Sequence, residues 1–291
     1  MDAPTRRGRA PVTLLDGPRW TELAARGVPT PLPGWSAHAL LGAPDVVGAI
    51  HADYAAAGAT VHTTNTFRTR PAVFGDAWRE AAERAVAIAR AAVPAGHRVA
   101  GSIAPLADCY RPDLSPAGSD PHGTRAAHRD LADVLAGAGC DLLLCETFPH
   151  VAEAWLALEA AVETGAEAWV SFTPGPACDL LSPAEVADGA VGAVERGARA
   201  VLVNCLPADR ALPYVVALVR ACEGRGVAIG AYANAGQPDA SDGWRPAPCD
   251  SAAYAAHALS WIAAGATIVG GCCGTGPRHV AAVSARDAPR G

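Results

Sequence analysis

Short apolar runs alternate with longer amphipathic stretches from end to end of this chain. The runs are Val12–Asp16, Thr60–Thr66, Arg98–Ala104, Asp141–Thr147, Ala168–Thr173, Ala200–Leu206, Val227–Asn234 and Ala266–Cys272. Val, Ile and Leu crowd them with little polar alternation, the pattern of parallel strands covered on both faces. Between them Ala, Leu and Val recur at helical spacing, over Asp45–Ala57, Trp78–Ala92, Arg125–Ala138, Val151–Glu163, Ala184–Arg196, Leu212–Glu223 and Ser251–Ala264. Gly58, Gly139, Gly165, Gly197, Gly226 and Gly265 stand between these stretches and the next run, where a helix stop is expected. Eight strand–helix units predict a (β/α)8 barrel in a single domain over 12–287, with 1–11 as a flexible N-terminal segment and a short last helix from Pro277. A doubly wound open sheet is the alternative. The count of eight and the missing Rossmann glycine fingerprint after the first strand favour the barrel.

The connections after strands one, three and seven are long: Gly17–Pro44, Pro105–Gly123 and Ala235–Asp250. Loops at the strand C-termini build the active site of a barrel, so these are the expected mouth.

Composition narrows the function classes. With 291 residues, 51% of them hydrophobic, the chain can bury a large core. The net charge is −6 and no basic block or aromatic-basic interleaving occurs, which argues against nucleic acid as a partner. Met1 to Pro11 carries Arg6, Arg7 and Arg9 without a following apolar segment, and no apolar run approaches the roughly 18 residues of a membrane span. Nine cysteines without framework spacing do not read as a disulfide-stapled domain, and Cys140, Cys145 and Cys222 read as buried small hydrophobes. A soluble, cytoplasmic protein is the expectation, with its oligomeric state open. All 23 basic residues are arginine, so Schiff-base chemistry on lysine is excluded.

Candidate chemistry gathers at strand ends. Cys205 closes strand six, and Cys272 and Cys273 follow Gly270-Gly271 at the end of strand eight. Three thiolates select Zn²⁺ over harder metals, and a three-ligand site leaves one position open for a substrate thiol. Successive strand residues face opposite ways, so Cys272 and Cys273 converge only if the chain leaves strand geometry there. Gly270, Gly271 and Gly274 give it that freedom. Three buried thiols, or a vicinal disulfide at 272–273, fit the same residues. Asp16 and Glu146 also lie at strand ends, where a carboxylate can receive a substrate ammonium; pairing with a nearby arginine or capping a helix is the other reading. Thr63 to Phe67 places small polar groups at the end of strand two, suited to a substrate carboxylate or to a turn.

The chain resembles the homocysteine S-methyltransferase family. The motifs are Leu14-Leu15-Asp16-Gly17, Thr64-Asn65-Thr66-Phe67, Gly101-Ser102-Ile103-Ala104-Pro105, Glu146-Thr147-Phe148, Val203-Asn204-Cys205, Tyr232-Ala233-Asn234 and Gly270 to Thr275, in family order along nearly the whole chain. The resemblance implies the (β/α)8 barrel, Zn²⁺ on Cys205, Cys272 and Cys273, and the homocysteine amino group on Asp16 and Glu146. It also implies substrate contacts at Gly17, Thr64, Asn65 and Asn204. In one place the sequence departs from the family pattern: Pro18, Arg19 and Trp20 stand where small residues usually precede Thr-Glu-Leu.

Homocysteine and a small methyl donor are the expected partners, with methionine formed as product, because one barrel uses the chain and leaves no room for a folate or cobalamin domain. S-methylmethionine, S-adenosylmethionine and betaine are candidate donors. Their positive charge would be held by aromatic rings, for which Trp20, Trp35, Tyr110 and Trp244 are candidates beside ordinary loop packing. Transfer to another thiol or selenol, and zinc or homocysteine binding without turnover, are the rival readings.

Overall fold

A computed structural model describes residues 11–238, 244–246 and 249–287. Apart from Pro11, the expected flexible segment lies outside the described residues, as does the side chain of Trp244. The strands in chain order are β1 (Thr13–Leu14), β2 (Val61–Thr63), β3 (Arg98–Ile103), β4 (Leu142–Phe148), β5 (Glu167–Phe172), β6 (Ala200–Pro207) and β7 (Ala228–Asn234). A small antiparallel pair, β8 (Gly236–Pro238) and β9 (Trp244–Pro246), interrupts the loop after β7, and β10 (Ile268–Gly271) completes the large sheet. That sheet is all parallel in the order β1-β10-β7-β6-β5-β4-β3-β2. A parallel bridge between Leu15 and Val61 joins its two ends. The chain is a (β/α)8 barrel, with β10 as its eighth strand.

Alternation along the strands sorts the core into two layers. Ala100, Leu142, Leu144, Trp169, Ala200, Leu202, Tyr232 and Ile268 fill the barrel interior with Leu15 and Val61. Their neighbours Val99, Leu143, Cys145, Val170, Val201, Val203, Ala231 and Val269 pack against the helices. Burying one such Leu or Val stabilises the fold by about 1.5–3 kcal/mol, so both faces favour apolar residues and the strands read as continuous runs. Cys145 and Cys222 are buried as expected, and Cys140 is half-buried.

The helices begin where the sequence supplies caps. Ser182 and Glu185 form a reciprocal capping box for Pro183–Glu195, and Asp120 and Asp250 accept from the first turns of Pro121–Gly137 and Ser251–Ala264. The connection after β1 is more structured than a plain loop. It holds helix Arg19–Ala25, a 3-10 turn at Trp35–His38 and a helical turn at Ala39–Gly42. Arg19 therefore opens a helix directly beside the strand end that carries Asp16.

Candidate functional site

Alternation decides which residues reach the mouth. In β4 the interior positions are Leu142, Leu144 and then Glu146; in β6 they are Ala200, Leu202 and then Asn204. On that count Cys205 belongs with Val201 and Val203, facing the helices. Register shifts break the count between Cys145 and Phe148 and between Asn204 and Pro207. At each break one residue takes the left-handed conformation: Thr147 at φ 64° and Cys205 at φ 59°. A side chain held there costs about 1–3 kcal/mol, and the surroundings must fix it. Asn204 does so from 0% exposure. Its amide donates to Thr147 Oγ1 at 2.8 Å, and its carbonyl oxygen accepts from Ser171 Oγ at 2.7 Å and Thr147 N at 3.2 Å. Asn204, expected as a substrate contact, is thereby tied into the barrel wall beside Cys205.

Cys272 and Cys273 lie just beyond β10, where the chain has left the strand. Cys272 N donates to Ala233 O at 2.8 Å, and Cys273 O accepts from Ala235 N at 3.0 Å. Tyr254, buried in the helix before β10, donates to Gly270 O at 2.6 Å and accepts from Ala233 N at 3.2 Å, which clamps the ends of β7 and β10 together. Gly274 turns at φ 78°, and a Cβ there would meet Gly236 N at 2.5 Å. Only glycine suits both conditions.

The result is a group of three sulfurs, Cys205, Cys272 and Cys273, whose Sγ atoms all lie within 4.8 Å of one another. Cys205 Sγ and Cys273 Sγ are 3.8 Å apart. Tetrahedral zinc with Zn–S near 2.3 Å holds its sulfurs about 3.8 Å apart, so the donor set fits the ion. All nine cysteines are free in this structure, Cys272 and Cys273 included. As thiols, the three share charge unequally. Hydrogen bonds from Cys205 and Cys273 hold Cys272 well below the ordinary thiol range, and donating holds the other two above it. Three thiolates at this spacing require a cation between them. Tyr110 Oη lies 2.9 Å from Cys205 Sγ. Burial pushes its phenol well up, so it remains a donor toward a Cys205 thiolate.

These sulfurs lie in a cavity of about 350 Å³ whose lining includes Asp16, Arg19, Trp20, Trp35, Phe67 and Glu146. The loop that brings Tyr110 over it is tied down from behind. Arg68 donates to Ala107 O at 2.9 Å, Arg70 to Pro105 O at 2.9 Å, and the buried Glu153 accepts from Leu106 N at 2.8 Å and Ser115 Oγ at 2.5 Å. Glu146 accepts from Ser102 Oγ at 2.5 Å and Tyr232 Oη at 3.1 Å. Burial pushes its carboxyl up to about 7.

The two expected carboxylates are not equivalent. Asp16 is ion-paired with Arg19, the arginine reading weighed in the sequence, while Thr63 donates to it through N at 3.0 Å and Oγ1 at 2.9 Å. Burial holds Asp16 above its ordinary value against the opposing pull of Arg19 and Thr63. Asp16, His51 and His62 form a second trio of ligand-type atoms within 4.8 Å. Burial first and the Arg19 charge second keep both imidazoles neutral, His62 near a pKa of about 3. A cation there would face the guanidinium, so this trio does not fit a metal.

The family model described as homocysteine S-methyltransferase matches residues 13–286. This chain belongs to the homocysteine S-methyltransferase family. It is 33% identical to the homocysteine S-methyltransferase of Escherichia coli K12, covering 94% of this chain and 95% of that one. It is 28% identical to the homocysteine S-methyltransferase YbgG of Bacillus subtilis 168, covering 94% of each. The structure superposes on that of the metallated form of the homocysteine methyltransferase MmuM from Escherichia coli with a TM-score of 0.79. That alignment has 27% identity and covers 95% and 96% of the two chains.

Within this member of the family, the mouth gathers most of the residues singled out in the sequence. Gly17, Thr64 and Asn65 line the same cavity as the three sulfurs and both carboxylates. Their polar side chains are partly committed: Thr64 Oγ1 lies 2.7 Å from Thr66 Oγ1, and Asn65 Nδ2 donates to Ser36 O at 2.7 Å. Trp20 and Trp35 line the cavity and stack at 5.7 Å, with Phe67 6.2 Å from Trp35. Tyr110 lines the same cavity, with its hydroxyl on Cys205. Sequence reasoning missed Arg19 as the partner of Asp16, Ser102 and Tyr232 on Glu146, and the Tyr254 clamp. Ser102 and Tyr232 already stood in family motifs, and interior parity on their strands was the signal that would have found them.

Proposed function

We propose that this protein transfers a methyl group from a small sulfonium or ammonium compound to the thiol of homocysteine, giving methionine, with Zn²⁺ held by Cys205, Cys272 and Cys273. The observation that carries the reading is the convergence of three sulfurs at zinc spacing on the cavity that also holds Glu146. Bound zinc would stabilise a thiolate at neutral pH, which is the reactive form of an acceptor sulfur. Glu146, half-buried and ionising near 7, receives the acceptor's ammonium. Gly17 and the Thr64–Asn65 segment face the acceptor's carboxylate. Tyr110 and Asn204 hold Cys205 in place.

The donor lies against Trp20, Trp35 and Phe67, whose ring faces attract a sulfonium or quaternary ammonium. Transfer is a direct displacement: the acceptor sulfur's electron pair forms the new S–C bond, and the electrons of the breaking bond return to the donor heteroatom. The donor leaves neutral and needs no acid. The protein supplies proximity and alignment, and the barrel over 12–287 is the unit that does so. No helix among the described residues is long and apolar enough to cross a membrane. A cytoplasmic location agrees with that and with the metabolite substrates.

The test is a donor screen with homocysteine on protein of measured zinc content. S-methylmethionine, S-adenosylmethionine and betaine are each supplied and methionine is quantified. S-methylmethionine is expected to give the fastest transfer; no methionine from any donor, with zinc in place, overturns the proposal.

A further inference from the structure

Arg19 lies at the head of the cavity and occupies the carboxylate that an acceptor ammonium would seek. Its Nη2 donates to Asp16 Oδ2, to Thr63 O at 2.5 Å and to Thr63 Oγ1 at 3.0 Å, and its Nη1 donates to Gly17 O at 2.5 Å. The two charged side chains are 5% and 2% exposed. Asp16 also accepts from Thr63 N and Thr63 Oγ1, so three donors of the protein itself take three of its about four acceptor sites.

A guanidinium is permanently charged, and three residues hold both Nη atoms of Arg19 while its buried Nε has no partner, so an ammonium at Asp16 must displace a paired charge. An ammonium beside it would meet a like charge. A carboxylate meets an attractive one.

We propose that Arg19 sets the acceptor specificity of this site: it holds the place of the acceptor's α-ammonium on Asp16, so that thiols with a lone carboxylate head are taken as readily as the matching amino acid. The inference rests on reading the cavity as a thiol-acceptor site. It follows from that reading's own geometry, because of the two strand-end carboxylates in the cavity Glu146 alone is free of an arginine partner.

The test compares homocysteine with 4-sulfanylbutanoate, the same thiol without its amino group, by calorimetric titration of the zinc-loaded protein. The unaltered protein should bind the two within about tenfold of each other, since the ammonium contact left at Glu146 is the one that separates them. Arg19→Met frees Asp16, and should tighten homocysteine by about tenfold or more while leaving 4-sulfanylbutanoate unchanged or weaker. The comparison on the unaltered protein stands even if the variant folds poorly. If homocysteine binds more than about tenfold tighter than its desamino analogue, the role of Arg19 falls and the thiol-site reading stands. If neither thiol binds to protein that retains zinc, both fall together.

Discussion

Asn204 and Thr147 hold each other across the ends of two neighbouring-but-one strands, amide to hydroxyl at 2.8 Å and backbone N–H to amide oxygen at 3.2 Å. Thr147 and Cys205 are both in the left-handed region, and this pair links the two kinks. Asn204→Ala should release Cys205 toward ordinary strand geometry and weaken zinc binding by about 10–100-fold, as removal of an orienting partner does. Chelator competition measures it. An affinity equal to the parent's would show that the kink at Cys205 is held by other means.

Removing one sulfur is a harsher change. Cys272→Ser keeps the shape but replaces one of the three sulfurs. Most zinc and nearly all methyl transfer should be lost, read by metal analysis and methionine formation on the same sample. Full zinc with full turnover would remove Cys272 from the site.

Glu146 gives the reaction a pH signature. Its carboxyl is raised from an ordinary 4.5 to about 7, so it loses its charge as pH falls through about 7. Homocysteine affinity should decline below that pH, and in Glu146→Gln the decline should vanish while affinity at pH 8 drops by about tenfold or more. Zinc content should stay. The stability effect has the opposite sign. The fold favours the protonated form relative to the unfolded chain, so stability is lost as pH rises from 4.5 to about 7. Glu146→Gln should accordingly melt higher than the parent at pH 8, and a lower melting point would contradict the burial argument.

The turn after the paired cysteines tolerates no side chain. Gly274→Ala imposes a Cβ at φ 78° and against Gly236 N. A loss of about 1–3 kcal/mol is expected in denaturant unfolding, with weaker zinc binding, because the same turn carries Cys273 O onto Ala235 N. Unchanged stability would mean that the loop after β7 moves aside at no cost.

The strand–helix order, the barrel and the three metal-ligand candidates were legible in the sequence because each is written in local pattern. Parallel strands buried on both faces must be apolar at consecutive positions, and a left-handed residue past a helix is best supplied by glycine. The metal candidates were legible because cysteine chemistry and glycine freedom coincide at Gly270 to Gly274. The helix at Arg19–Ala25 was missed inside an apparent loop, since a seven-residue element carries too short a period to stand out.

What the sequence determined by itself was therefore the architecture and the kinds of atoms at its mouth. The tertiary structure decided their allegiance. Strand parity assigns Cys205 to the helix layer, and the left-handed kink beside the Asn204–Thr147–Ser171 network brings it to Cys273. Asp16 and Glu146 look alike as carboxylates at strand ends, and only packing gives one to Arg19 and the other to Ser102 and Tyr232. Hydrogen bonds and charge pairs act over a few ångströms in space between residues far apart in the chain. Their outcome is fixed once the barrel has closed and set those residues side by side.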